Sequence, residues 1–391
     1  MAVSGVEAIE VPRGLKNVVV TSTEIGDVRG TEGFYHYRQY SAIELAGKRT
    51  FEDVWFLFVE GRLPTAEERS AFAATVAPLR VLPEDLRPVL RSIALAGSRF
   101  NPLAGLRTAL SLIGAARNVT PLWESGEERR RADALLVSAV TPTILAALYR
   151  IRAGHEPLEP RADLSTAANW LYLVTGEVPD PARVRAIEQY LISTIDHGFN
   201  ASTFTARVIA STGADLVAAV AGAIGAFSGP LHGGAPDRAL DALDEIGSPD
   251  RIDPWVRAKI TAGDRIMGFG HAVYRTDDPR AVMCREIAIG LAAHADQHGV
   301  DLVDFATTVE RRVTDILAEL KPGRELHVNV EFYAGVVMEL CGIPRSMFTP
   351  TFTASRVVGW CANILEQARD SKIIRPIARY EGPAAPQPVP A

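Results

Sequence analysis

A chain of 391 residues, 47% hydrophobic and 23% charged, has the balance of a folded globular protein and room for two domains of ~100–200 residues each. A formal net charge of −6 gives no footing for nucleic acid or an anionic membrane as partner. Cys284, Cys341 and Cys361 are far apart and outside any paired motif, which argues against a disulfide framework or a thiolate zinc site and fits a reducing, cytoplasmic setting.

Taken in chain order, the N-terminal MAVSGVEAIEVPRG carries Glu7 and Glu10 and lacks an apolar core, so it does not read as a signal peptide. KNVVVTSTEI is the one stretch that reads clearly as strand. TFEDVWFLFVEGRLP predicts a helix capped by Thr50, ended by Gly61 and stopped by Pro64. PEDLRPVLRSIALAG repeats Leu86, Val89, Leu90, Ile93 and Leu95 near the helical period. The apolar runs LLVSAVTPTILAALY and LVAAVAGAIGAFSGPL fall short of the ~20 residues that span a membrane. DPARVRAIEQYLISTIDHG opens with Asp180 as cap and Pro181 as first helical residue. The Ala- and Gly-rich ADLVAAVAGAIGAF predicts a helix closely packed in a core or subunit interface. DLVDFATTVERRVTDILAEL aligns Leu302, Phe305, Val309, Val313, Ile316 and Leu317 on one side. The whole predicts about fifteen helices, an all-α fold with a small β element near the N-terminus, and a disordered Pro- and Ala-rich tail after Glu381.

The histidines are the first candidates for chemistry. His294 and His298, four apart in LAAHADQHG, have no accompanying carboxylate or cysteine motif and read as a solvated helix C-terminus rather than a metal site. His36 and His155 have no motif around them. His232 in SGPLHGGAPD and His271 in IMGFGHAVYRTDDPR sit in glycine-bracketed joints, where the backbone can turn sharply and a ligand can approach. His197 in DHGFNASTFTAR lies at a helix end before the cap-like Asn200 and Ser202. There is no GK[ST] phosphate loop, no strand–GxGxxG–helix unit, no H-E-x-x-H and no G-x-S-x-G. Arg280, Arg356 and Arg375 carry forks suited to carboxylates; with two or three histidines they would bind a small dianion. Glu331, in HVNVEFYAGVVMELCGIP, is a carboxylate among Val328, Val330, Phe332, Tyr333, Val336 and Val337. Such burial is costly unless the group is paired or hydrogen-bonded.

GPLHGGA, GFGHAVYRTDDPR, NVEFYAG and MFTPTFTASRVVGWCANILEQ, in this order and spacing, resemble citrate synthase and its close relative 2-methylcitrate synthase. HGFNASTFTARVIAST fits as well, and the match runs from Gly14 to near Gly382. The resemblance implies a citrate synthase-like, all-helical homodimer. Its large domain would comprise residues 1–229 and 331–391, with a small domain, 230–330, closing over the substrates. It implies condensation of acetyl-CoA with oxaloacetate, then thioester hydrolysis to citrate and CoA, without metal or other cofactor. Position by position, His232 resembles the histidine that stabilises the thioester enol, and His271 the one that polarises the oxaloacetate carbonyl. His197, Arg280 and Arg356 resemble oxaloacetate ligands, and Arg375 an arginine supplied across the dimer interface. Met267 to Ala272, with Gly268 and Gly270, resembles the adenine-recognition loop for CoA, and Arg275 a contact to its phosphates. Glu331 occupies the place of the carboxylate base.

Three departures stand out. The family base is usually aspartate; Glu331 is one methylene longer, and misplacement by about an ångström can cost ~10²-fold in rate. Ala272 stands where many bacterial members carry arginine. His327 is outside the pattern and reads as structural. Two rivals remain open at this level: a 2-methylcitrate synthase using propionyl-CoA, since one methylene in a pocket is worth only ~1–3 kcal/mol, and a catalytically silent binding or regulatory relative.

Overall fold

The valine run near the N-terminus is not a strand. A computed structural model describes residues 9–233, 236–270, 273–321, 326–370 and 372–390, of which 236–239 by backbone only. Residues 16–25 are extended or turned and form no strand, although Ile25 O accepts from Arg38 N (2.7 Å), and Val19 is exposed. The β element instead follows directly: β1 (Gly26–Arg29), β2 (Phe34–Tyr37) and β3 (Tyr40–Ser41), antiparallel in the order β1-β2-β3. The reason is burial. Tyr35 and Tyr37 alternate onto the core side of β2, and their hydroxyls donate to the main-chain oxygens of Ser193 (2.9 Å) and Ile192 (2.9 Å). The valines of residues 18–20 have no such face to cover.

Helices make up the rest, sixteen among the described residues, so the all-α expectation holds. The first half comprises α1 (Ala42–Lys48), α2 (Phe51–Glu60), α3 (Ala66–Val76), α4 (Arg87–Ala94), α5 (Pro102–Ala116), α6 (Glu127–Arg152), α7 (Thr166–Thr175) and α8 (Pro181–Thr194). The second comprises α9 (Ala201–Ser211), α10 (Leu216–Phe227), α11 (Pro236–Ile246), α12 (Ile252–Thr261), α13 (Pro279–Ala292), α14 (Gln297–Leu320), α15 (Val330–Leu340) and α16 (Phe348–Gln367). The caps are where the sequence puts them. The Thr50 hydroxyl and Asp53 carboxylate form a reciprocal capping box, and Asp180 caps α8 ahead of Pro181.

One apolar core runs through the molecule. α16 is its axis, packed on α6, α8, α9 and α10, while α13 packs on α15 and α12 on α14. The Ala- and Gly-rich α10 lies on α9 and α5 and buries Leu216, Val220, Ala223, Ile224 and Phe227. The run around Pro142 proves longer than its apolar letters suggest. The charged EERRRAD opens the same helix, giving 26 residues, and α6 is the one described helix long and apolar enough to cross a membrane. With 83% of its apolar window buried, it is a core helix. Residues 372–390 run largely exposed, without helix or strand.

Candidate active site

The end of α8 delivers the first residues. Past Thr194 the chain turns through Asp196 and His197 to Asn200, whose side chain caps α9 by accepting from Thr203 N (3.1 Å). α16 crosses this turn at close range: Gly359 lies so near Ile195 that a Cβ there would overlap the Ile195 carbonyl oxygen. The approach places Arg356 of α16 beside the turn. Its Nε donates to Thr194 O (2.7 Å), and its guanidinium lies 4.7 Å from the centre of the Phe352 ring. The terminal Nη groups meet no protein acceptor among the described residues. Burial lowers the pKa of this arginine, partly offset by nearby Asp196. His197 Nε2 lies 3.0 Å from the hydroxyl of Tyr274.

His232 sits on the turn that follows α10. Gly233 N donates back to Phe227 O (3.0 Å), and a Cβ on Gly233 would come within 2.5 Å of the Phe227 ring. Here glycine serves close packing, with the His232 ring edge-on to Phe227 at 5.2 Å. Ser202 faces the imidazole from the first turn of α9, where main-chain N–H groups have no helical acceptor. Its N–H donates to His232 Nε2 (3.3 Å), its hydroxyl lies 2.8 Å from the same nitrogen, and Trp360 Nε1 donates to that hydroxyl (3.1 Å). An amide N–H can only donate, so Nε2 is assigned as the acceptor and the ring proton to Nδ1. Burial, reinforced by the Arg356 charge, pushes the His232 pKa down to about 4. The ring is neutral at pH 7 and able to donate from Nδ1.

Arg280 comes from the start of α13. Asp278 caps that helix and grips one edge of the guanidinium with both carboxylate oxygens, accepting from Arg280 Nε (3.0 Å) and Nη2 (2.8 Å). Both side chains are buried. Burial alone would lower the Arg280 pKa, but the charge and hydrogen bonds of Asp278 raise it well above its ordinary value. Asp278 also accepts from Val330 N (3.2 Å), which fastens the first turn of α15 to the same carboxylate.

Glu331 lies in that first turn. Asn329 caps α15 by accepting from Glu331 N (3.1 Å), as its sequence position suggests, and the helix dipole there favours an ionised carboxylate. The Asn329 amide also donates to Gly270 O (3.0 Å), and its N–H to Gly268 O (2.8 Å). A single antiparallel bridge, Phe269 with Val328, completes the tie. The loop of Met267–Gly270, with Gly268 and Gly270 at φ +84°, is thus bound to the chain that leads into Glu331.

These residues meet in one cleft of about 880 Å³. His197, His232, Arg280, Glu331 and Arg356 line it, with Met267, Gly268 and Gly270 at one side. His271 and Ala272 lie outside the described residues. Arg275 and Arg375 are exposed and do not line the cleft. Arg275 rides on a loop whose N–H donates to Gly30 O (3.0 Å), and Arg375 belongs to the extended C-terminal segment. His294 and His298 do not share a helix. α13 ends at Ala292, and Asp296 caps α14, placing His298 in a first turn rather than at a C-terminus. Among the described residues no cluster of His, Cys, Asp or Glu is arranged to hold a metal.

Sequence reasoning passed over Asp278, Tyr274 and Asp196, and read Ser202 as cap-like, whereas Asn200 is the cap and Ser202 meets His232. Asp278 carried a signal in DDPR, since Asp before Pro marks a helix cap. The contact of Ser202 with His232 carried none, because its partners His232 and Trp360 are distant in sequence.

The described family model "Citrate synthase, C-terminal domain" matches residues 14–377. Citrate synthase of Deinococcus radiodurans is 35% identical over 376 residues, covering 95% of this chain and 96% of that one. 2-Methylcitrate synthase of Mycobacterium tuberculosis is 37% identical over 377 residues, covering 96% and 92%. Citrate synthase from Pyrobaculum aerophilum superposes with a TM-score of 0.87 at 36% identity, covering 100% of this chain and 98% of that one. The Thermoplasma acidophilum enzyme, solved as a ternary complex with carboxymethyl coenzyme A and oxaloacetate, gives 0.88 at 28% identity, covering 97% and 98%.

Proposed function

This chain belongs to the citrate synthase family, and on that premise we propose that it is an acyltransferase condensing acetyl-CoA with oxaloacetate to give citrate and CoA. The observation that carries the reading is the meeting, in one cleft, of a helix-start carboxylate (Glu331), a neutral donor imidazole (His232) and an arginine with uncommitted donors (Arg356).

A thioester methyl proton is weakly acidic, so its removal needs charge stabilisation on the carbonyl oxygen. Glu331 takes the proton while His232 Nδ1–H donates to that oxygen. The enol carbon then bonds to the ketone carbon of oxaloacetate, whose oxygen takes up a proton. Water cleaves the C–S bond of the citryl thioester, releasing the CoA thiol. Arg280, Arg356 and His197 hold the oxaloacetate; by resemblance, His271 polarises its ketone. Lining up two substrates in one cleft removes much of the entropic barrier, and closure that expels water strengthens each of these interactions.

The cleft is lined by His197, His232 and Arg356, by residues between 264 and 280, and by Glu331. The resemblance to the family supports closure of a small domain, residues 230–330, over the substrates. Met267 to Ala272 and Arg275 would meet CoA. Arg375, exposed and outside its own cleft, would serve the site of a second subunit in a homodimer. No metal or resident cofactor enters the steps above. The buried, unpaired cysteines are in keeping with the cytoplasm.

Thiol release from acetyl-CoA that requires oxaloacetate is the test. Preference for propionyl-CoA over acetyl-CoA in the same assay would make the protein a 2-methylcitrate synthase. No oxaloacetate-dependent release with either would leave a silent relative.

A further inference from the structure

Asp196, beside the cleft, has no part in the steps above. The residue is 3% exposed. It accepts from Gly198 N at Oδ2 (3.1 Å) and from the Asn363 amide at Oδ1 (3.2 Å). Both donors are neutral, and among the described residues the carboxylate is in no ion pair. A buried carboxylate held only by neutral donors is costly in its charged form.

The groups around it can be named. Arg356 and Glu366 face it from α16, and Tyr37 from β2, its hydroxyl donating to Asp196 O (3.2 Å). Arg207 of α9 reaches the neighbouring Asn363 but is paired with Glu366 (2.5 Å), so those two charges largely cancel. His197 is next in the chain. Among the described residues Arg356 is left as the cation that favours ionised Asp196, and Asp196 in turn favours charged Arg356. Burial outweighs that attraction and pushes the carboxyl pKa up to about 6.

A substrate carboxylate settling on Arg356 changes this balance. It draws off the attraction that Asp196 enjoys and adds a repulsion of its own. We propose that oxaloacetate binding is coupled to uptake of one proton from solvent by Asp196, making this residue a charge-compensating positioning residue for Arg356. The inference rests on the oxaloacetate-binding reading above. In the free protein, ionised Asp196 spares Arg356 the cost of standing as a lone buried cation. In the complex the dianion takes over that task and the protonated Asp196 no longer competes for the guanidinium.

The sign follows from linkage: the complex holds more protons than the free protein, so affinity rises as pH falls. The apparent Kd for oxaloacetate should drop ~fivefold to tenfold from pH 8 to pH 7. Titration calorimetry of oxaloacetate into the full chain at pH 7.5, in two buffers of different ionisation enthalpy, counts the protons. Expected are close to one proton taken up by the wild type and none by Asp196→Asn, whose Kd should be flat between pH 7 and pH 8. Full uptake retained in Asp196→Asn would place the proton on a histidine and overturn the proposal. Binding by the wild type without uptake would overturn it too, leaving the oxaloacetate reading intact; no binding at all would sink both. Should Asp196→Asn fail to fold, infrared difference spectra of wild type labelled with ¹³C-aspartate decide. A protonated carboxyl band appearing with oxaloacetate supports the coupling, and its absence refutes it.

Discussion

Two arginines line the same cleft and are held in opposite ways. Arg280 is gripped along one edge by both oxygens of Asp278, and both residues are buried, so its charge is met before any ligand arrives. Arg356 is positioned by a main-chain oxygen and an aromatic face, with its terminal nitrogens uncommitted among the described residues. A carboxylate partner fixes a guanidinium firmly but spends its charge. A carbonyl and a ring fix it without doing so. Arg280 thus brings geometry to the site, and Asp278 extends that geometry to α15 through Val330 N. Arg356 brings charge.

The contrast can be pressed experimentally. The largest effect is expected where neither arginine is touched: Glu331→Gln should lower turnover ~10²–10⁴-fold, the usual range for losing a general base, with oxaloacetate affinity near wild type. Turnover near wild type would remove Glu331 from the mechanism. Next, Asp278→Ala strands a buried cation and loosens the start of α15. A stability loss of ~3–5 kcal/mol is expected by denaturant titration, and a loss under 1 kcal/mol would deny Asp278 its role as the tie. Arg356→Ala should leave the fold intact but weaken oxaloacetate binding ~30-fold or more, the lower end for truncating a buried charged partner. Unchanged affinity would contradict the assignment of charge to Arg356.

The smallest effect concerns stability against pH. Burial, against the pull of Arg356, raises the Asp196 pKa from an ordinary 3.8 to about 6. Between these values the folded state holds more protons than the unfolded, so this group's contribution to stability falls as pH rises through the window. Asp196→Asn removes that titration. Its Tm relative to wild type should therefore climb by a few degrees between pH 4 and pH 7, and a constant difference would mean that Asp196 is ionised throughout.

Much of the local structure was legible in the sequence because its causes are local. Thr50 with Asp53, Asp180 with Pro181 and Asn329 before Glu331 announce helix starts through side chains that satisfy main-chain groups a few residues away. The same local logic failed where a partner elsewhere decides. KNVVVTSTEI has strand composition, but the tyrosines of FYHY had a surface at the end of α8 to cover, and the valines had none. His294 and His298 fall at helical spacing, yet Asp296 caps a new helix between them.

The chemistry-bearing residues of the cleft were likewise visible as types in motifs: His197, His232, Arg280, Glu331 and Arg356. Their electrostatic states were not. That His232 is neutral follows from burial and from Ser202, 30 positions away in the chain. That Arg280 is neutralised and Arg356 is not follows from which carboxylate reaches which guanidinium. The sequence alone determined the helices, their caps and the roster of side chains able to do acid–base and anion-binding work, because propensity, capping and side-chain chemistry act within a few residues. Only the tertiary structure decided which charges are already met and which await a ligand, because burial and Coulomb interaction depend on neighbours that the fold brings together from distant parts of the chain.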